Sequence, residues 1–191
     1  MPVQMIYKNY LALGDSYTIG ESITAAESFP VQTANLLHVG NIAFTNPEII
    51  AKTGWTTGDL LHALENDPPK KTNYDLVTLL IGVNNQFQHR SIDEYKIQFT
   101  ELLNSAIFYA GGNRNHVFVI SIPDYSVTPF ASVYNAEVIS SELTSFNEAN
   151  KNISLSAGVH YCNITPISQE AKNNPGLLAA DNLHPSAVQY K

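Results

Sequence analysis

The chain has 191 residues, 44% of them hydrophobic and 14% charged, and a net charge of −7. That length suits one domain with a substantial core, and so few charges exclude a disordered or heavily solvated chain. The acidic balance, without any run of Lys or Arg, excludes a nucleic-acid backbone as the main partner, because nothing is there to displace its counterions.

In chain order, residues 10–13 are apolar and stop at Gly14, followed at once by Asp15-Ser16. This reads as a buried strand that ends in a sharp turn, with the Ser16 hydroxyl lifted above the sheet edge. Residues 28–39 place Phe29, Val31, Ala34, Leu36 and Leu37 on one helical face, with Pro30 in the first turn and Gly40 at the exit. Residues 41–51 read as a second strand interrupted near Pro47, and the turn holding Gly54 opens into a short helix over 60–65. A surface loop over 67–71 leads to residues 75–81, apolar on both faces as a central parallel strand should be. That strand ends in Gly82-Val83-Asn84-Asn85. Residues 91–110 form an amphipathic helix with a Ser-Ile-Asp-Glu capping-box start, closed by Gly111-Gly112.

A further buried strand over 117–122 closes on Pro123-Asp124. An aromatic loop over 125–134 and a helix over 135–157 follow. The last strand, 159–164, holds Cys162, the only cysteine, which has no disulfide partner and is expected to pack as a buried apolar side chain. Residues 186–191 resemble the first turn of a helix cut short, and 1–191 is expected to be a single domain. No run approaches the ~20 apolar residues that span a bilayer. No basic segment followed by an apolar one opens the chain, which makes the cytoplasm the default compartment and export the alternative if a leader has been removed. No His/Cys cluster has metal-ligand spacing, and no metal or organic cofactor is expected.

Alternating strands and helices imply a parallel sheet covered on both faces, in which ligands bind beyond the carboxyl ends of the strands. Ser16, Gly54, Asn84 and the Asp181/His184 pair each follow a predicted strand, so they should meet along one edge. A serine hydroxyl needs a neighbouring base. Of the six histidines, only His184 lies at that edge with an acid beside it, since Asp181 three positions earlier can accept its Nδ1 hydrogen and leave Nε2 for Ser16. The backbone N–H groups of Ser16 and Gly54 and the side-chain amide of Asn84 are the candidate oxyanion donors. Asp15 is the rival acid, but as the immediate neighbour of Ser16 it is assigned to holding the turn.

Gly14-Asp15-Ser16, Gly54 in its Thr-Gly-Trp-Thr turn, Gly82-Val83-Asn84-Asn85 and Asp181-Asn182-Leu183-His184-Pro185 resemble, in order, the four blocks of the SGNH (GDSL-type) hydrolases. The resemblance runs from residue 10 to 187. It implies a flavodoxin-like three-layer α/β/α sandwich around a mainly parallel five-stranded sheet. It also implies Ser16 as nucleophile, Asp181 and His184 completing a triad, and Ser16, Gly54 and Asn84 in the oxyanion hole. Two positions depart from the family pattern: Tyr17 stands where Leu is usual, and Asn85 where Asp is usual.

The expected activity is ester hydrolysis through an acyl-enzyme, on small-molecule short-chain esters or carbohydrate acetyl esters. Lysophospholipase or thioesterase action on longer chains is the alternative, and a non-catalytic anion-binding module on the same edge is the reading from another class. Asp15, Asn85, Phe87, Tyr125 and Phe130 are the candidate substrate contacts, with Tyr134 nearby in the aromatic loop.

Overall fold

The computed structural model describes residues 4–191, so the first three residues of the expected domain and of any leader lie outside the described residues. Its centre is a five-stranded parallel sheet. With β1 at Ile6–Lys8, β2 at Tyr10–Gly14, β3 at Ile42–Phe44, β4 at Glu48–Ala51, β5 at Leu76–Leu80, β6 at Val117–Ile120 and β7 at His160–Cys162, the order is β4-β2-β5-β6-β7. The first strand of this sheet thus lies inside the second, the doubly wound flavodoxin-like order, whose switch point falls between β2 and β5. The expected interruption near Pro47 divides the second strand into β3 and β4. β3 pairs with β1 as a separate two-stranded parallel ribbon.

Helix α1 (Ser16–Ile19) follows β2, α2 (Phe29–Leu36) leads to β3, and α3 (Thr57–Asn66) follows β4. After β5 come α4 (Val83–Phe87) and α5 (Ile92–Tyr109), then α6 (Ala136–Ala157) between β6 and β7, and α7 (Thr165–Gln169). Side chains alternate along each strand, and the two sheet faces differ. Leu11, Leu13, Val77, Leu79, Val117 and Val119 build the larger core together with apolar residues of α3, α5 and α6. Tyr10, Ala12 and Leu76 form a small second cluster with Ala34 of α2, against which Phe44, Ile49 and Phe118 pack. There the Tyr10 hydroxyl bonds Thr78 Oγ1 at 3.0 Å, which satisfies two buried polar groups on the thinner face.

Several boundaries move for local reasons. Helix α3 begins at Thr57 because Thr56 caps it: its hydroxyl accepts from Asp59 N–H, and the Asp59 carboxylate accepts from Thr56 N–H in return. Ser91 caps α5 as expected, accepting from Glu94 N–H at 3.1 Å. Helix α2 ends at Leu36 rather than Val39, and Gly40 instead turns the chain within a Val39–Ile42 bridge. Residues 186–190 make one turn, closed by Tyr190 N–H on the Ser186 carbonyl.

Cys162 is exposed, contrary to the expectation of burial. β7 is an edge strand, and α6 packs against it from the face opposite the Cys162 side chain. Phe118, one strand inward, stacks on His160.

Candidate active site

The register of the sheet decides what meets at its carboxyl edge. Gly14 pairs with Ala51 on one side and Leu80 on the other, so β2, β4 and β5 end level. The turns carrying Ser16, Gly54 and Asn84 therefore open side by side at the switch point. Gly14 has to be glycine, since a Cβ there would collide with Thr18 Oγ1 and the Leu80 carbonyl. Only without it can α1 fold back onto the strand it leaves.

Asp15 makes that reversal and caps α1, its Oδ1 accepting from Tyr17 N–H at 3.0 Å. Ser16 comes next, and its hydroxyl lies 2.9 Å from His184 Nε2. His184 Nδ1 lies 2.6 Å from Asp181 Oδ2. The remaining oxygen, Asp181 Oδ1, accepts the backbone N–H groups of Leu183 and His184, both at 3.0 Å, so the Asp-x-x-His segment is a closed turn held by its own acid. Burial opposes the Asp181 charge. Hydrogen bonds from the Ser22 hydroxyl, His184 and the two N–H groups outweigh it and hold the carboxyl down at about 2. His184 is 6% exposed, and the Tyr17 ring lies against it with centroids 5.1 Å apart.

Gly54 sits at φ +84°, a left-handed conformation that glycine adopts without strain. Among the described residues neither the Gly54 N–H nor that of Ser16 donates to a protein acceptor. The Asn84 amide gives one hydrogen to the Trp55 carbonyl at 2.9 Å, which leaves the second available. Ser16, Gly54, Asn84 and His184 share a cavity of about 140 Å³. Its apolar wall is Val83, Phe87, Tyr125, Phe130 and Leu183. Phe87 is the hub of this wall, with the rings of Tyr125, Phe130 and Tyr134 centred 5.9–6.3 Å from it. A larger apolar groove of about 330 Å³ lies on the far side of Tyr17 over β5–β7, but neither Ser16 nor His184 reaches it.

Two of the expected contact residues do not line the cavity. Asp15 is fully buried beneath Ser16, and burial raises its carboxyl to about 7 despite the Tyr17 N–H. Among the described residues its Oδ2, like the neighbouring Thr18 hydroxyl, has no hydrogen-bond partner. Asn85 is also fully buried: its carbonyl oxygen accepts Thr57 N–H at 2.9 Å and its amide donates to Thr57 Oγ1 at 2.7 Å. It ties α4 to the start of α3. Phe87, Tyr125 and Phe130 do line the cavity.

Other residues at the site escaped the sequence reading. Ser22 donates to Asp181 Oδ2 at 2.6 Å, and Thr53 donates to Glu21 beside Gly54. Ser22 carries no periodic or motif signal, and Thr53 entered only as part of the turn around Gly54, so only the folded chain reveals their bonds.

The arrangement can accept a proton from a hydroxyl, store it on an imidazole backed by a carboxylate, and present N–H groups to a charge that develops nearby. Among the described residues no helix is long and apolar enough to cross a membrane. No curated protein sequence matches the chain. Solved structures match its fold. An acetylxylan esterase from Geobacillus stearothermophilus matches with TM-score 0.69 at 19% identity, over 100% of this chain and 91% of that one. An extracellular lipase from Streptomyces rimosus gives the same TM-score and identity, over 94% and 93%. A lipolytic protein of the G-D-S-L family from Veillonella parvula matches with TM-score 0.69 at 16% identity, over 97% and 92%. The family model of the GDSL-like lipase/acylhydrolases matches residues 12–191, and the chain therefore belongs to that family of carboxylic ester hydrolases.

Proposed function

We propose that the protein hydrolyses short-chain esters, carbohydrate acetyl esters among them, through an acyl-enzyme on Ser16. The observation that carries this reading is the continuous hydrogen-bonded chain from Asp181 through His184 to Ser16, ending in a cavity lined by free N–H groups. His184 takes the hydroxyl proton as Ser16 Oγ attacks the carbonyl carbon, and Asp181 holds the imidazole by Nδ1. The carbonyl oxygen, negative in the tetrahedral intermediate, is received by the N–H groups of Ser16 and Gly54 and the amide of Asn84. One such donor is worth about 3–4 kcal/mol of transition-state stabilisation. His184 then returns the proton to the leaving alcohol. Water, activated by the same imidazole, attacks the acyl-enzyme and frees Ser16.

The size of the cavity supports a short acyl group. A space of about 140 Å³ is comparable to an engineered apolar cavity that holds one benzene molecule. A long fatty acyl chain has no room there unless it runs out over the aromatic wall.

The test is covalent labelling by an organophosphonate with peptide mapping. Label on Ser16, absent in Ser16→Ala and strongly reduced in His184→Ala, is expected. Label on another serine, or p-nitrophenyl acetate turnover unchanged in Ser16→Ala, would overturn the reading in favour of a binding module.

A further inference from the structure

The turn after α1 joins three loops of the site. The Ser16 carbonyl accepts the N–H groups of both Gly20 and Glu21, at 3.2 and 3.0 Å, so the turn is fastened to the backbone of Ser16 itself. From that anchor two adjacent side chains reach in different directions. Glu21 accepts from the Thr53 hydroxyl, the residue before Gly54. Ser22 donates to Asp181 Oδ2 at 2.6 Å, the same oxygen that faces His184 Nδ1.

Ser22 also holds φ at +66°, a left-handed conformation that a non-glycine residue adopts at a cost of about 1 kcal/mol. Glycine would sit there without strain. Strain of this kind persists where surrounding contacts determine the backbone, and it clusters at functional sites. Ser22 is exposed and packs into no core; its strained conformation lies within a turn closed by Ile23 N–H on the Gly20 carbonyl at 3.3 Å and aims the hydroxyl at Asp181.

We propose that the Glu21–Ser22 turn is a positioning clasp for the ester hydrolase site, with Ser22 fixing Asp181 and Glu21 fixing the Gly54 turn relative to Ser16. This rests on the assignment of Ser16, His184 and Asp181 above. Neither clasp residue touches substrate. Ser22 limits the swing of the Asp181 carboxylate so that Oδ2 stays on the imidazole while Oδ1 keeps its two backbone donors. Glu21 limits the tilt of the turn whose N–H faces the cavity. The Ser22 hydroxyl is one of the hydrogen-bond donors that hold the Asp181 carboxyl low against burial.

Ser22→Gly separates positioning from folding, because it removes the hydroxyl and the backbone strain together. The expected result is an unchanged or raised melting temperature with kcat for p-nitrophenyl acetate reduced about tenfold, the scale of a lost hydrogen bond to a charged group, and KM within about twofold. Ser22→Asn, which tolerates the left-handed backbone and carries an N–H donor, should recover part of kcat. In an Asp181→Asn background Ser22→Gly should change nothing further. Glu21→Ala should lower kcat several-fold, again without a matching change in KM.

The clasp fails if Ser22→Gly and Glu21→Ala keep wild-type kcat while Ser16→Ala is inactive, or if the Ser22→Gly loss persists undiminished in Asp181→Asn. It fails equally if the kcat loss only follows a fall in melting temperature. Activity retained in Ser16→Ala would instead remove the assignment beneath it.

Discussion

Asp15 and Ser16 are neighbours in the chain, yet their side chains leave on opposite sides of the turn. The Asp15 carboxylate is fully buried against Tyr17 N–H, while the Ser16 hydroxyl faces the cavity and His184 Nε2 at 2.9 Å. On the proposed mechanism the two carboxylates near the serine have separate tasks. Asp181→Asn should reduce kcat by about a thousandfold or more, since the imidazole loses the acceptor that fixes its tautomer. Asp15→Asn keeps an oxygen for Tyr17 N–H and should stay within about tenfold of wild type. Steady-state rates on p-nitrophenyl acetate check the pair, and the reverse order would make Asp15 the triad acid.

Burial of Asp15 has a cost that depends on pH. Its carboxyl rises from 3.8 to about 7 in the folded protein. Between those values the folded chain retains a proton that the unfolded chain has released, so this residue lowers stability progressively as pH rises through the window. Above it the penalty is complete, of the order of a few kcal/mol. Asp15→Asn removes the charge, and its advantage over wild type should grow from pH 4.5 to pH 8 in urea unfolding. A difference that stays flat across that range would place the carboxylate in a better-solvated setting than beneath Ser16.

The blocks that form the edge of the sheet were legible because each combines a strand end with a residue whose chemistry is tied to that place. The strand over 75–81, apolar on both faces, could only be central, and β5 is. Asp181 and His184 were legible as a pair because three positions bring an acid back onto its own imidazole. Burial on the second face was not legible. Cys162 lies in an apolar run, but whether its side chain is covered depends on which helix lies over an edge strand, and no local pattern encodes that. Asp15, which was assigned to holding its turn, and Asn85 were also candidate substrate contacts. A chain neighbour at such a turn points the other way, and both became ties within the interior. Ser22 was invisible for the converse reason: its role comes from a contact with a residue 159 positions away.

Asn85 stands where the family pattern usually has Asp, and its surroundings show what the amide contributes. It accepts from Thr57 N–H and donates to Thr57 Oγ1, which in turn donates to Gln98. A carboxylate could keep the first bond, but the Thr57 hydroxyl would have to turn toward it, and the Gln98 amide would have to flip to donate. Asn85→Asp places a full charge in a site with no exposed surface, so stability should fall by about 1–3 kcal/mol. The deficit should be larger at pH 8 than at pH 4.5, where the acid can stay neutral. The double variant Asn85→Ala with Thr57→Ala removes both partners of the amide–hydroxyl bond and should lose less than the sum of the single changes. Additive losses in thermal unfolding would mean that the two residues do not act as a unit.

On the proposed reading, the aromatic wall should set the length of acyl chain the site accepts. Phe87 lies against the rings of Tyr125, Phe130 and Tyr134 and lines the cavity shared with Ser16. Each methylene that finds apolar surface adds about 0.8 kcal/mol, so kcat/KM should rise roughly fourfold per carbon until the cavity is full and then fall. On a p-nitrophenyl ester series the maximum is expected at two to four carbons, in keeping with a space of about 140 Å³. Phe87→Ala opens the wall without touching Ser16, His184 or the N–H donors, so the maximum should move to longer chains while acetate turnover changes little. A wild-type maximum at eight carbons or more would reverse the preference for short acyl groups. A profile that Phe87→Ala leaves in place would show that chains leave the cavity by a route other than past this ring.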